Sequence, residues 1–241
     1  MTASLNDLAV LGIVILAGLV RGITGFGGAM LMAAPLSILM GPVPTVVTTL
    51  MLETTAALIM FPDAWPRINK RTLIYLTLPA CFTVPLGGYL LVTLDPLVAR
   101  KLIAAVVIVF SSGLLAGLRY TGPQRPITSL LLGGIVGVLL GSTSVGAPPV
   151  ILYLLSGPDP QPVTRANLTV FVTSISVIGL AMLLAAGVIT VQLTMWACLL
   201  CVPFLAATWA GSALFARLHE IAARRIALGL MLTTGFISLI F

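Results

Sequence analysis

Arg21-Gly-Ile-Thr-Gly-Phe-Gly-Gly28 lies between two apolar limbs, LAVLGIVILAGLV over residues 8–20 and AMLMAAPLSILM over residues 29–40. An arginine and four glycines in the middle of a hydrophobic stretch ask for an explanation. As one helix, Leu8 to Met40 would be about 50 Å long at 1.5 Å per residue, against a hydrocarbon core of about 30 Å. Split at the glycines, each limb is expected to be too short to span. Two limbs meeting inside the bilayer make a re-entrant hairpin, which is tolerated only where its broken backbone is buried in protein or lines a cavity.

The rest of the chain supports a bilayer as its solvent. Of 241 residues, 59% are hydrophobic and 7% charged, whereas a soluble domain is about a quarter charged. Mean hydropathy is +1.19. The apolar segments lack period-2 alternation, which favours spanning helices over a β-barrel. The expected fold is therefore an all-α integral membrane protein. Its opening residues, MTASLNDLAV, carry no basic n-region, so a cleaved signal peptide is not expected.

A duplication organises the sequence. At an offset of 116, Gly18, Gly25, Gly41, Pro42 and Pro44 meet Gly134, Gly141, Gly157, Pro158 and Pro160. Further on, at an offset of 124, Pro79, Gly87, Leu90 and Arg100 meet Pro203, Gly211, Leu214 and Arg224. Each half holds one Gly-interrupted stretch followed by three long segments: 44–61, 72–94 and 98–118 in the first, 163–187, 192–214 and 221–241 in the second. Residues 1–118 form the first repeat, 119–126 the inter-repeat loop and 127–241 the second repeat, together one transmembrane domain. The second broken stretch, Ile127 to Leu155, is interrupted around Gly141-Ser-Thr-Ser-Val-Gly146.

Charge placement separates two topologies. With re-entrant hairpins each half crosses three times, the halves are inverted and both ends lie outside. The inner side then holds Arg67, Lys70, Arg71, Arg119, Arg125, Arg165, Arg217, Arg224 and Arg225, and the outer side Arg100 and Lys101. If both broken stretches crossed fully, the inner side would keep five basic residues against six outside. The positive-inside rule favours two inverted repeats, each a broken hairpin plus three transmembrane helices.

Inverted repeats with broken helices near the midplane are the usual architecture of secondary transporters. The limb starting near Gly28 would point its positive dipole end into the protein, a ready anion site. Arg21 adds a full charge, costly at that depth unless paired or facing water. Ser142, Thr143 and Ser144 beside Gly146 either offer hydroxyl donors to the same anion or return hydrogen bonds to the freed backbone. Glu53, the acidic residue well inside a span, either carries a coupling proton or neutralises Arg21. Arg165 and Asn167 begin the span after the second hairpin and are candidates for the inner mouth, Arg165 equally for a topology anchor. Gly25, Gly27 and Gly28 belong to the candidate site, whereas Gly18-x-x-x-Gly22, Gly113-x-x-x-Gly117 and Gly133-x-x-x-Gly137 fit close helix packing.

Gly22-Ile-Thr-Gly-Phe-Gly-Gly28 with Pro35, and a degenerate copy ending Gly146-Ala-Pro-Pro149, resemble the paired glycine-rich motifs of the sulfite exporter TauE/SafE family, within the toluene sulfonate uptake permease superfamily. Ala29 and Ala147-Pro148 depart from a full glycine triplet. The resemblance implies a multi-pass transporter of the bacterial inner membrane, carrying sulfite, thiosulfate or a small organosulfonate such as sulfoacetate. The substrate-binding candidates are Arg21, Thr24, Gly25, Phe26, Gly27, Gly28, Ser142, Thr143, Ser144, Gly146, Arg165 and Asn167, with Glu53 as coupling or charge partner. A coupling ion, proton or sodium, and membrane lipids are the other expected partners.

Rival classes fare worse. An anion-selective channel of the same architecture would use the same donors. An intramembrane enzyme lacks the means: there is no G-x-S-x-G and no H-E-x-x-H, and the one histidine, His219, falls on a loop. Cys81, Cys198 and Cys201 sit in apolar segments as small hydrophobes, so no metal and no cofactor is expected. The net charge of +6 borders membrane segments and implies head groups, not nucleic acid. Trp65, Trp196 and Trp209 are interface or packing aromatics.

Overall fold

The computed structural model describes residues 5–24, 27–118, 120–122, 124–215 and 220–240. Gly25, Phe26, Arg119, Arg217 and His219 lie outside the described residues. The described chain is helical: α1 Leu5–Thr24, α2 Gly28–Met40, α3 Pro42–Ala64, α4 Lys70–Thr93, α5 Pro96–Leu115, α6 Pro126–Thr143, α7 Ala147–Leu155, α8 Gln161–Ala185, α9 Val191–Phe215 and α10 Glu220–Ile240. Helices α1, α3, α4, α5, α6, α8 and α9 are long and apolar enough to cross a membrane. Their outward faces carry large apolar side chains such as Phe82, Leu199 and Trp209, as a lipid-facing surface requires.

Local chemistry sets the boundaries. Proline stands in the first turn of α3, α5, α6 and α8, where its missing N–H costs nothing. Asp95 and Asn69 cap α5 and α4 by accepting from the amides of Leu97 and Thr72. Gly117 and Gly187, both at φ 72°, close α5 and α8 in the left-handed conformation that glycine adopts without a Cβ penalty.

One expectation about the broken stretches is corrected. At about 1.5 Å per residue, α1 is about 30 Å long over its 20 residues and α6 about 27 Å over its 18. Neither first limb is too short to span; only the returning limbs α2 and α7, of 13 and 9 residues, are. The apolar run understated α1 because the helix begins earlier, with exposed Leu5 and Asn6.

The chain nevertheless turns back at both breaks. A Cβ built on Gly28 would lie 3.4 Å from the carbonyl oxygen of Ala17, eleven residues earlier, and one on Gly146 would lie 3.1 Å from Val136 Cγ1, ten residues earlier. In a continuous helix these residues would be about 15 Å apart or more along the axis. Gln124, just before α6, donates to the carbonyl of Tyr153 near the end of α7 at 2.6 Å. The second broken stretch thus ends where it began.

Close backbone packing ties the halves together. Cβ atoms on Gly133, Gly137 and Gly141 of α6 would collide with the carbonyls of Leu76, Ala80 and Val84 of α4, so the two helices run side by side in the same sense. Gly18 and Gly22 of α1 meet Phe204 and Thr208 of α9 in the same way. Such contact, without side chains between the backbones, is what small residues at four-residue spacing permit. Gly113 and Gly117 make no such seam: Gly113 faces Leu118 of its own segment, and Gly117 closes α5. Helices α3 and α8 cross the middle in opposite senses. Leu50 lies against Gly179, while Asn69, after α3, donates its amide to Asn167 near the start of α8 at 2.8 Å. Arg67, Lys70, Arg71, Arg125 and Arg165 therefore gather at one end of the bundle, with Arg100 and Lys101 in the first turns of α5 beyond the far end of α4.

Candidate anion site

Arg21 occupies the last turn of α1, where the helix C-terminus favours a cation. Its guanidinium Nη1 pairs with Oε2 of Glu53, in the middle of α3, and the two side chains are only 11% and 7% exposed. Charges removed from water to this degree are costly unless they meet, and here they do. Among the described residues, Glu53 Oε1 has no hydrogen-bond partner.

Gly28 explains how α2 reaches this pair. A Cβ on Gly28 would sit 2.5 Å from Glu53 Oε1 and 3.3 Å from Arg21 Cβ; only a residue with no side chain lets the start of α2 lie there. The positive dipole end of α2 thus faces the carboxylate of the protein's own Glu53. Gly27, at φ 91°, supplies the left-handed turn into α2.

A cavity of about 60 Å³ opens beside the ion pair, room for a few waters at roughly 10–15 Å³ each. Arg21, Glu53, Gly27, Ser144 and Gly146 line it, so both breaks and the charged pair converge on one space. Helices α3 and α8 form facing walls with the same spacing: Leu50, Glu53 and Ala57 on one, Thr169, Val172 and Ser176 on the other. The remaining wall is apolar, with Met30, Met60, Leu140 and Pro148 among its residues.

The other candidates are placed elsewhere. Thr24 donates to the Val20 carbonyl at 2.8 Å. Ser142 and Thr143 donate to the carbonyls of Val138 and Leu139, at 2.8 and 2.7 Å, and neither lines the cavity. They follow the reading in which hydroxyls satisfy the freed backbone. Ser144 lines the cavity, and at φ 60° it is the one non-glycine residue with positive φ among those described. Its hydroxyl bonds the neighbouring Thr143 carbonyl at 2.5 Å. Arg165 is exposed, one turn before Thr169 and outside the cavity. Asn167 is fully buried and accepts from the Asn69 amide, fastening α8 to the segment after α3. The second half-site is also poorer in donors than the first, because Pro148 and Pro149 bring no N–H to the start of α7.

Ser176 was missed by the sequence reading. It is 1% exposed, it lines the cavity, and its Oγ has no hydrogen-bond partner among the described residues. The signal was available as a three-then-four spacing on α8 matching Leu50, Glu53 and Ala57 on α3.

The family model described as Sulfite exporter TauE/SafE matches residues 10–237. The chain belongs to the sulfite exporter TauE/SafE family. No curated protein and no solved structure matches it. In this TauE/SafE member the match runs from within α1 to the last turn of α10 and so takes in both breaks, α3, α8 and every residue of the cavity. It is a multi-pass membrane protein of a family of membrane exporters.

Proposed function

We propose that the protein carries a small sulfur-containing anion, such as sulfite, thiosulfate or an organosulfonate like sulfoacetate, across the bacterial inner membrane by alternating access at the Arg21–Glu53 cavity. One observation carries the reading: a largely buried guanidinium and the N-terminus of a half-helix, the two groups that bind anions best inside a protein, converge on a small cavity, where the protein's own carboxylate pairs with the first and stands against the second. Glu53 is in this reading a stand-in for the substrate. An arriving anion takes over Arg21 and the start of α2 when a proton neutralises Glu53, and Oε1, which has no hydrogen-bond partner among the described residues, is the natural place for that proton.

With Glu53 protonated, Arg21 balances one negative charge: a monoanion such as hydrogensulfite leaves the cavity neutral, whereas a dianion such as thiosulfate or sulfoacetate leaves one negative charge over. Arg21 and Glu53 are the charged side chains on the wall among the described residues; α8 contributes hydroxyls and apolar groups. Anion and proton therefore travel together.

The inverted arrangement of the halves, with both termini outside, belongs to the same proposal. It is supported by the turn-back at each break, by the opposed senses of α3 and α8, and by the basic residues gathered at one end.

The test is exchange across proteoliposomes loaded with unlabelled sulfite. Uptake of sulfur-35-labelled sulfite against its gradient, saturating with external concentration, is the expected result. Steady conductance without counterflow would replace the carrier with a channel, and neither would remove sulfite as substrate.

A further inference from the structure

A second, larger space lies at the basic end of the bundle. About 290 Å³ in volume, it is bounded by Arg71 and Tyr75 of α4, Arg125 and Ser129 at the start of α6, and Tyr153 and Pro158 at the end of α7. It shares no residue with the Arg21–Glu53 cavity. Because α4 and α6 run in the same sense, both N-termini open on it.

Two exposed arginines face this groove, and neither pairs with a carboxylate among the described residues. The acid nearest in sequence to the groove's residues, Asp159, is held by Asn69 Nδ2, at 3.1 Å to each of its oxygens. The floor is firm: Tyr153 is 2% exposed, and its hydroxyl and the Ser129 hydroxyl share a 2.6 Å hydrogen bond. These features describe a place for an anion that is larger than the substrate and wetted on one side.

What adjoins the groove identifies the anion. From Arg71 the same face of α4 continues through Ile74, Leu78 and Phe82, at helical spacings of three, seven and eleven, and these are 59%, 56% and 76% exposed. A charged head at a helix end above an exposed apolar stripe is the profile of a lipid: phosphate on the guanidinium, acyl chain along the stripe. A soluble anion has no use for the stripe.

We propose that this groove binds the phosphodiester headgroup of an anionic phospholipid, with its acyl chains along the outer face of α4. Arg71 and Arg125 grip the phosphate from two helices, and Tyr153 couples the occupant to the C-terminal end of the returning limb α7. The site does not depend on what the central cavity transports.

The test is a thermal-stability titration of the purified full-length protein in detergent, with short-chain phosphatidylglycerol, short-chain phosphatidylcholine and inorganic phosphate as separate probes. Wild type should be stabilised by phosphatidylglycerol at concentrations where the other two do nothing. Arg71→Gln/Arg125→Gln should weaken the phosphatidylglycerol response about thirtyfold, each arginine near a charged surface contributing about fivefold. Arg71→Lys/Arg125→Lys, which keeps both charges, should retain most of it. Both arginines are exposed, so the variants should fold, and the lysine pair supplies an independent reading if the glutamine pair does not. An undiminished phosphatidylglycerol response in the glutamine variant overturns the site. Equal response to phosphatidylcholine overturns the role of charge, and inorganic phosphate acting as strongly as phosphatidylglycerol overturns the lipid.

Discussion

Removing one partner of the Arg21–Glu53 pair should be far worse than removing both charges. In wild type Glu53 Oε2 is satisfied by Arg21 while Oε1 has no partner, and the carboxylate is only 7% exposed. Arg21→Gln strips the countercharge and leaves a buried carboxylate with the amide of the new glutamine and the start of α2. Uncompensated charges of this kind cost about 3–5 kcal/mol. For a chain of this size each kcal/mol corresponds to roughly 2–4 °C, so the melting temperature should fall by about 6–20 °C. Glu53→Gln strands the arginine, 11% exposed, with a penalty of the same order. Arg21→Gln/Glu53→Gln places two neutral amides side by side and should recover most of the loss, since neutral replacements of buried pairs are often close to isoenergetic. The assay is thermal unfolding of the four proteins in one detergent, read as a double-mutant cycle. A coupling energy below about 0.5 kcal/mol, the size seen between independent sites, would refute the buried pair.

Three further outcomes are expected. Gly28→Ala should destabilise wild type, since its Cβ would lie 2.5 Å from Glu53 Oε1, but cost little when Glu53→Ala clears the space; equal cost in both backgrounds, measured by thermal unfolding, would place the strain elsewhere. Gly137→Ala, whose Cβ would collide with Thr83 and the Ala80 carbonyl, should cost about 1–3 kcal/mol or more as an overpacked seam, whereas Gly12→Ala and Gly229→Ala, which meet nothing within 4 Å, should be neutral or stabilising. Leu5→Cys and Thr121→Cys, each alone on a cysteine-free background, should react with an impermeant thiol reagent from opposite faces of the membrane; labelling from the same face would remove the inverted topology.

Much of this architecture was legible because membrane helices are punctuated strongly. The apolar runs placed the six long segments within three residues of their observed ends, and excess length with central glycines located both breaks. Limb length was less legible, since the polar first turn of α1 and the Arg125–Thr128 backbone–hydroxyl bond that starts α6 add helix beyond the apolar run. Arg21 and Glu53 stood out because charge inside a span is expensive. Hydroxyls did not sort themselves: Ser142 and Thr143 satisfy backbone carbonyls while Ser176 does not, a difference of rotamer that composition does not encode. Nor did the sequence disclose that the Glu53 carboxylate stands at the start of α2.

The account rests on that last point, and sulfite binding as a function of pH tests it most directly. For the wild-type protein in detergent, affinity should rise as pH falls, and more steeply than sulfite's own exchange with hydrogensulfite accounts for, because protonating Glu53 releases Arg21. In Glu53→Gln affinity should be high and keep only the pH dependence that sulfite brings through its own exchange with hydrogensulfite. In a folded Arg21→Gln/Glu53→Gln double variant it should drop about tenfold or more, the loss of one charge-assisted bond of about 1.4 kcal/mol. Sulfite bound by that double variant with wild-type affinity and wild-type pH dependence would contradict the account.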